Sequence, residues 1–195
     1  MIPMRKSLLS AGIFLALPSL LLAHPGHDGH EITWNFGAGL SHPLSGLDHL
    51  CAMMAVGYWA AALGGRALWA VPGAFIALVA AGFGAGVAGF RFSGTEQMIA
   101  ASLFSLGLLI ASRRRLPIPL AAGIAGLFAI FHGLAHGAEM PPGATSPDYV
   151  TGFLVATAVL LGLGVAIGVA LRPIRVPASR LAGAALVISS AFLFI

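Results

Sequence analysis

Charged residues are scarce in this chain. Ten basic and six acidic residues amount to 8% of its 195 residues, about a third of the share usual in soluble domains. With an apolar content of 58%, this scarcity excludes a soluble globular domain. The basic residues form no patch with aromatic residues between them, so the net charge of +4 does not indicate nucleic-acid binding.

The chain also has only one cysteine and no convincing nucleotide-binding motif. Cys51 is the single cysteine, so an intrachain disulfide and a Cys-rich zinc site are both excluded. A G-x-G-x-x-G pattern occurs at residues 84–89, but it lies inside an apolar run and not between a strand and a helix. This chain alone therefore cannot be an ATP-driven pump.

Long apolar blocks fill most of the chain instead. Each is 19 to 24 residues long, enough for a helix to cross a hydrocarbon core of roughly 30 Å. Helices are expected because each backbone polar group must be satisfied within its own segment. We predict an all-α fold, a polytopic membrane bundle of six transmembrane helices over residues 41–195. The blocks are 41–64, 67–90, 94–112, 116–137, 149–171 and 176–195.

Residues 1–23 have the pattern of a secretory signal peptide. Arg5 and Lys6 precede an apolar stretch of suitable length, and Ala23 suits a cleavage site. Cleavage there would leave residues 24–40 as an exported segment rich in histidine. We therefore predict a mature N terminus in the periplasm.

The arginines between the apolar blocks agree with this orientation. If the mature N terminus is outside, the outer loops between spans hold only Arg91. The excess of basic residues on the other side is typical of cytoplasmic loops. The sequence thus predicts a multi-pass protein of the bacterial inner membrane. The seven predicted cytoplasmic arginines are Arg66, Arg113, Arg114, Arg115, Arg172, Arg175 and Arg180.

A first polar cluster opens the first apolar block. It contains His42, Asp48 and His49, and Pro43 suits the first turn of the helix. If one helix starts there, His42, His49 and Met53 share a face, and Asp48 lines the same cavity from its side. The thioether of Met53 is a possible additional ligand, although packing is its more common role.

A second polar cluster closes the fourth block. His132, His136 and Glu139 are spaced by four and then three residues, so they project from one helical face. The predicted topology places both clusters near the outer membrane surface. Glu96, at the outer start of the third block, is a further contributor at that depth.

A divalent transition metal explains these polar side chains. An ionised carboxylate inside a bilayer is costly, and neither cluster contains a basic side chain to offset it. Imidazoles with carboxylates suit nickel, cobalt, copper or zinc, and not magnesium or calcium. The alternative is that the histidines only hydrogen-bond across helices. In the exported segment, His24, His27 and His30 form a composition that would capture such a metal.

The sequence at residues 42–60 resembles the signature of the HupE/UreJ family of nickel and cobalt permeases. Residues 131–139 resemble that family's second histidine motif, and residues 96–102 its third-span pattern. The resemblance covers essentially the whole chain. It implies secondary transport of Ni²⁺ or Co²⁺ for hydrogenase or urease maturation, with the metal as transported ligand and no prosthetic group. The implied metal ligands are His42, Asp48, His49, His132, His136 and Glu139.

Two other functions use the same residue types. An intramembrane zinc hydrolase would bind its metal through these side chains, with Glu139 or Glu96 as general base. A metal sensor or chaperone would bind the metal without moving it across the membrane. We predict a permease and not an enzyme. The donor types do not distinguish nickel from cobalt, because sites built from nitrogen and oxygen ligands all rank the divalent transition metals in much the same order of affinity.

Overall fold

The computed structural model describes residues 34–140 and 146–193, except the side chains of 174–178, 192 and 193. The predicted signal peptide and His24, His27 and His30 lie outside these residues. The described chain is helical and contains no strand. Its helices are α1 Phe36–Ser45, α2 Leu47–Leu63, α3 Ala67–Val87, α4 Thr95–Ser112, α5 Ile118–Glu139, α6 Pro147–Ala170 and α7 Arg175–Leu193, with a 3-10 turn at Arg172–Ile174.

The helices form a bundle suited to a bilayer. Helices α3, α4, α5 and α6 are long and apolar enough to cross a membrane, and α2 and α7 contain shorter apolar stretches. Large apolar side chains such as Trp69, Phe90 and Ile188 lie exposed on the surface of the bundle, with about 60% of their area accessible. Exposed apolar surface of this extent suits contact with lipid. The prediction of an all-α bundle with several helices able to span a membrane is confirmed for the described residues.

The first apolar block is not one helix, which corrects the prediction. Helix α1 begins earlier, because Asn35 caps it by accepting a hydrogen bond from the Ala38 amide at 2.8 Å. Pro43 therefore lies inside α1 and not in the first turn of a span. The chain then breaks at Gly46, whose backbone is extended, and resumes as α2. Proline weakens the helix just before this break because its ring removes one backbone donor.

Glycines allow two pairs of helices to pack backbone against backbone. Gly82 and Gly86 of α3 lie against the backbone of α5, where a Cβ atom would overlap it. Gly164 of α6 lies in the same way against α2, and Gly168 lies against Ala61 and Tyr58 of that helix. Small residues at such positions let the backbones of membrane helices approach closely. These contacts fix α5 against α3 and α2 against α6, and so fix the helices that carry the polar clusters.

Arg91 joins the ends of two helices. Its guanidinium donates to the Gly86 carbonyl at 2.6 Å, to the Phe90 carbonyl at 3.1 Å and to the Ala138 carbonyl at 3.2 Å. The last carbonyls of a helix have no partner within the helix and carry partial negative charge. Arg91 thus ties the C-terminal end of α3 to that of α5.

Replacing Arg91 with Ala is expected to lower the stability of the bundle by about 1 kcal/mol, because helix-end carbonyls lose a charged donor that is itself exposed. For a chain of this size, that corresponds to a fall of about 2–4 °C in the unfolding midpoint. Thermal unfolding of the purified protein in detergent measures it. Arg114→Ala removes the same charge and no described hydrogen bond, so an equal loss in both variants would contradict this role.

Candidate metal centre

The polar clusters meet at one end of the bundle. His42 lies in the last turn of α1, and Asp48 and His49 lie in the first turn of α2, on the two sides of the break at Gly46. The cluster of α5 occupies its last two turns, because that helix continues unbroken to Glu139. Residues about ninety positions apart in sequence are therefore neighbours in space.

Three side chains form a compact group at the more exposed side of the cluster. His42 Nε2 lies 2.6 Å from His136 Nδ1 and 3.1 Å from Glu139 Oε2. The three ligand atoms all lie within 4.8 Å of one another. Ligand atoms about 2.0–2.2 Å from a shared metal ion would be roughly 3–4 Å apart. The group therefore has the donor types of a metal site, and its two imidazoles, now at hydrogen-bond distance, would separate slightly to bind an ion. The Glu139 side chain is 54% exposed.

Three imidazoles pack together deeper in the bundle. The ring centroid of His49 lies 4.3 Å from that of His136 and 5.1 Å from that of His132. His132 is fully buried and His136 nearly so. The Nε2 atoms of all three rings are buried without a hydrogen-bond partner among the described residues. An unpaired buried polar atom normally costs about 1–3 kcal/mol, so three of them on neighbouring side chains call for a functional explanation.

The other nitrogen of two of these rings does have a partner. His49 Nδ1 lies 3.0 Å from Asp48 Oδ1, and His132 Nδ1 lies 2.9 Å from the Phe128 carbonyl oxygen. Since both partners are acceptors, each Nδ1 is a protonated nitrogen, and in the neutral ring each Nε2 then carries a lone pair. A metal-binding histidine is usually held in this way, by a carboxylate or a carbonyl on its second nitrogen. Asp48 thus contacts His49 and is placed to orient it.

Aromatic residues that the sequence did not single out form the wall of the cluster. The Tyr149 ring lies 5.8 Å from His42, the Phe153 ring 5.0 Å from His136 and the Phe75 ring 6.0 Å from His132, measured between centroids. The Tyr149 hydroxyl is buried without a described hydrogen-bond partner. The position of Tyr149, at the outer start of an apolar block, is the one sequence signal that could have placed it here.

Comparison with known proteins identifies the family. The sequence model of the HupE / UreJ protein family matches residues 12–193. The chain belongs to the HupE/UreJ family. Protein HupE of Rhizobium leguminosarum bv. viciae is 43% identical to it over 182 residues, which cover 89% of this chain and 93% of that protein. No solved structure matches the chain.

Two candidate ligands of this HupE/UreJ family member lie apart from the close group. Glu96 is in the first turn of α4 with an exposed side chain, and it forms no hydrogen bond or ion pair with the histidines. Met53 is fully buried among apolar side chains of the core. Its surroundings favour the packing role over that of a soft ligand.

Replacing Gly46 with Ala in this HupE/UreJ protein is expected to reduce metal uptake about tenfold, the scale on which supports of a metal ligand act. A Cβ atom there would lie 2.8 Å from Asp48 Oδ1 and 3.1 Å from His49 Nδ1. Both side chains would have to move away from it, which would disturb their contact with each other. Uptake of radioactive Ni²⁺ by cells, normalised to protein level, measures it. Gly73→Ala is the control, because a Cβ atom at Gly73 meets nothing within 4 Å; equal uptake by the two variants would contradict the expectation.

Proposed function

We propose that this member of the HupE/UreJ family is a permease that carries a divalent transition metal, Ni²⁺ or Co²⁺, across the bacterial inner membrane. The proposal is carried by the buried Nε2 atoms of His49, His132 and His136, which have no hydrogen-bond partner among the residues that the structure describes. A metal ion bound there would satisfy lone pairs that otherwise add to the cost of folding.

The charges of the cluster also support a dication as cargo. Asp48 and Glu139 are close to the imidazoles, and the contacts of the described residues bring no arginine to either carboxylate. A bound dication would offset both carboxylates. Imidazole nitrogen with carboxylate oxygen suits late divalent transition metals better than magnesium or calcium.

The proposal includes six membrane crossings and a periplasmic mature N terminus. Residues 41–64, divided between α1 and α2, would form the first crossing, and α3 to α7 the other five. The arginines between the blocks support this orientation. The cluster would then open toward the periplasm, where His24, His27 and His30 could collect metal after cleavage of the signal peptide.

Passage to the cytoplasm would need a rearrangement of helices. Fully buried apolar side chains, including Trp59, Val71 and Phe75, fill the core of the bundle. A hydrated ion would find no ligand among them. The close glycine contacts would hold α3 with α5 and α2 with α6 as two pairs, and the rearrangement would move one pair against the other.

Metal flux into liposomes tests the proposal. Purified protein in sealed liposomes should accumulate radioactive Ni²⁺ in a saturable manner, and excess Co²⁺ should compete more strongly than Mg²⁺. Protein-free liposomes are the control for leakage. Saturable binding without accumulation would refute the permease and support a sensor or chaperone, and hydrolysis of lipid or peptide that depends on zinc would support the enzyme.

A further inference from the structure

We infer that the histidines and Glu139 form two metal positions in series, with His136 as a member of both. The outer position consists of His42 Nε2, His136 Nδ1 and Glu139. The inner position would use the Nε2 atoms of His49, His132 and His136, where His49 packs against both other rings. Only the outer group already has its ligand atoms within 4.8 Å of one another among the described residues, so the inner rings would have to turn toward an arriving ion. The inference rests on the proposed function, because it describes how one metal ion would move through the same cluster.

The two nitrogens of His136 carry the argument. Its Nδ1 lies 2.6 Å from His42 Nε2, in the compact group with Glu139. Its Nε2 is buried and has no described hydrogen-bond partner, although the ring packs against His49. The nitrogens of one imidazole point away from each other, so a single metal ion cannot bind both. One coordination sphere therefore cannot satisfy the outer group and the inner Nε2 of His136 together.

The two positions also differ in exposure. The outer position includes the half-exposed Glu139, and the side chain of His42 is 17% exposed. At the inner position, His49 is 12% exposed, the shared His136 is 4% exposed and His132 is fully buried, so the half-exposed Glu139 makes the main difference. A metal ion arriving from water would reach the outer position first, lose water there, and find imidazoles alone as inner ligands. Exposure thus gives the positions an order.

A neutral imidazole offers one lone pair at a time, because its second nitrogen carries the proton. His136 would therefore bind through Nδ1, with its proton on Nε2, while the ion is at the outer position. When the ion moves inward, Nε2 would release that proton to a water molecule that accompanies the ion and would bind the ion, and the vacated Nδ1 would take up a proton from water at the exposed outer position, so the ring stays neutral. His49 and His132 already present bare Nε2 atoms, since their Nδ1 protons are held by Asp48 and by the Phe128 carbonyl. The two positions would fill in turn and not together.

Ni²⁺ binding to purified protein in detergent tests the inference. One variant, His42→Leu with Glu139→Gln, removes the outer position, and a second, His49→Leu with His132→Leu, removes the inner one. Each should still bind about one Ni²⁺ per chain in equilibrium dialysis, within about tenfold of the wild-type affinity. His136→Leu should weaken binding more than about 100-fold, because it damages both positions. X-ray absorption should show a carboxylate ligand only in the variant that keeps Glu139.

Other outcomes overturn the inference in distinct ways. If either double variant loses binding as fully as His136→Leu, while each elutes as a single peak in size exclusion, the five side chains form one coordination sphere. Should the inner double variant aggregate, His132→Asn alone gives the same comparison with a smaller change. Wild-type protein that binds Ni²⁺ without flux into liposomes would refute the permease, and the double variants would still decide between one and two positions.

Discussion

Ni²⁺ accumulation is expected to fall more than about 100-fold when His132 is replaced by Leu, because losing a ligand should exceed the 10–100-fold effect of losing its support. His132 is fully buried beside Phe75, and its Nε2 atom has no described partner. Leucine has a similar volume and leaves no buried polar atom, so the fold should tolerate it. The change removes the Nε2 lone pair and one hydrogen bond within the helix, from Nδ1 to the Phe128 carbonyl. Radioactive Ni²⁺ uptake by cells, normalised to protein in the membrane fraction, measures the loss.

A matched control separates this effect from damage to the bundle. Thr157 is another fully buried polar residue, and its hydroxyl bonds to the Phe153 carbonyl within its own helix. Thr157→Val should accumulate Ni²⁺ at the wild-type rate, because it removes a hydroxyl that faces no imidazole in the described contacts. Wild-type uptake by His132→Leu, or equal loss in both variants, would remove His132 from the transport path.

The second histidine cluster was predictable because it lies on one continuous helix. His132, His136 and Glu139 keep their spacing inside α5, which runs without a break to its last turn. Helical periodicity then fixes their common face, whatever the rest of the bundle does. The sequence was sufficient here because no long-range contact is needed to bring these side chains to one side.

The first cluster reached the predicted place by a different route. Periodicity placed His42 and His49 on one helical face, but the helix breaks between them at Gly46. They meet because two helices join at an extended glycine, and because α1 packs on α6 with Gly39 against the Tyr149 backbone. A glycine inside an apolar run is weak evidence for such a break, since glycine is common in membrane helices.

The end of the bundle at which a residue lies was easier to predict than its position around the bundle. Glu96 starts α4 near the predicted level of the cluster, yet its side chain is exposed. Tyr149 starts α6 near that level too, and it packs against His42. The difference follows from helix packing: α4 lies mainly against α7, whereas α6 lies against α1 and α2. Span lengths and loop charges do not contain that information.

Replacing Asp48 with Ala is expected to lower Ni²⁺ uptake about 10–100-fold, which is the second large effect that we predict. Its Oδ1 atom lies 3.0 Å from His49 Nδ1, so it holds the ring in the tautomer whose Nε2 atom is bare. Alanine removes the acceptor and leaves His49 free to turn or to move its proton to Nε2. Asp48→Asn keeps an acceptor oxygen for the same proton. It should therefore retain more uptake than Asp48→Ala, although it has lost the negative charge.

A direct ligand would behave differently from a residue that positions His49. If Asp48 binds the metal itself, the neutral amide should be nearly as poor as alanine, and losses from Asp48 and His49 should add. If Asp48 acts through His49, adding Asp48→Ala to His49→Leu should weaken Ni²⁺ binding little further, because the ring it orients is gone. Equilibrium dialysis of the two single variants and the double variant measures this coupling. Additive losses in binding free energy would make Asp48 a ligand and end its assignment as the residue that orients His49.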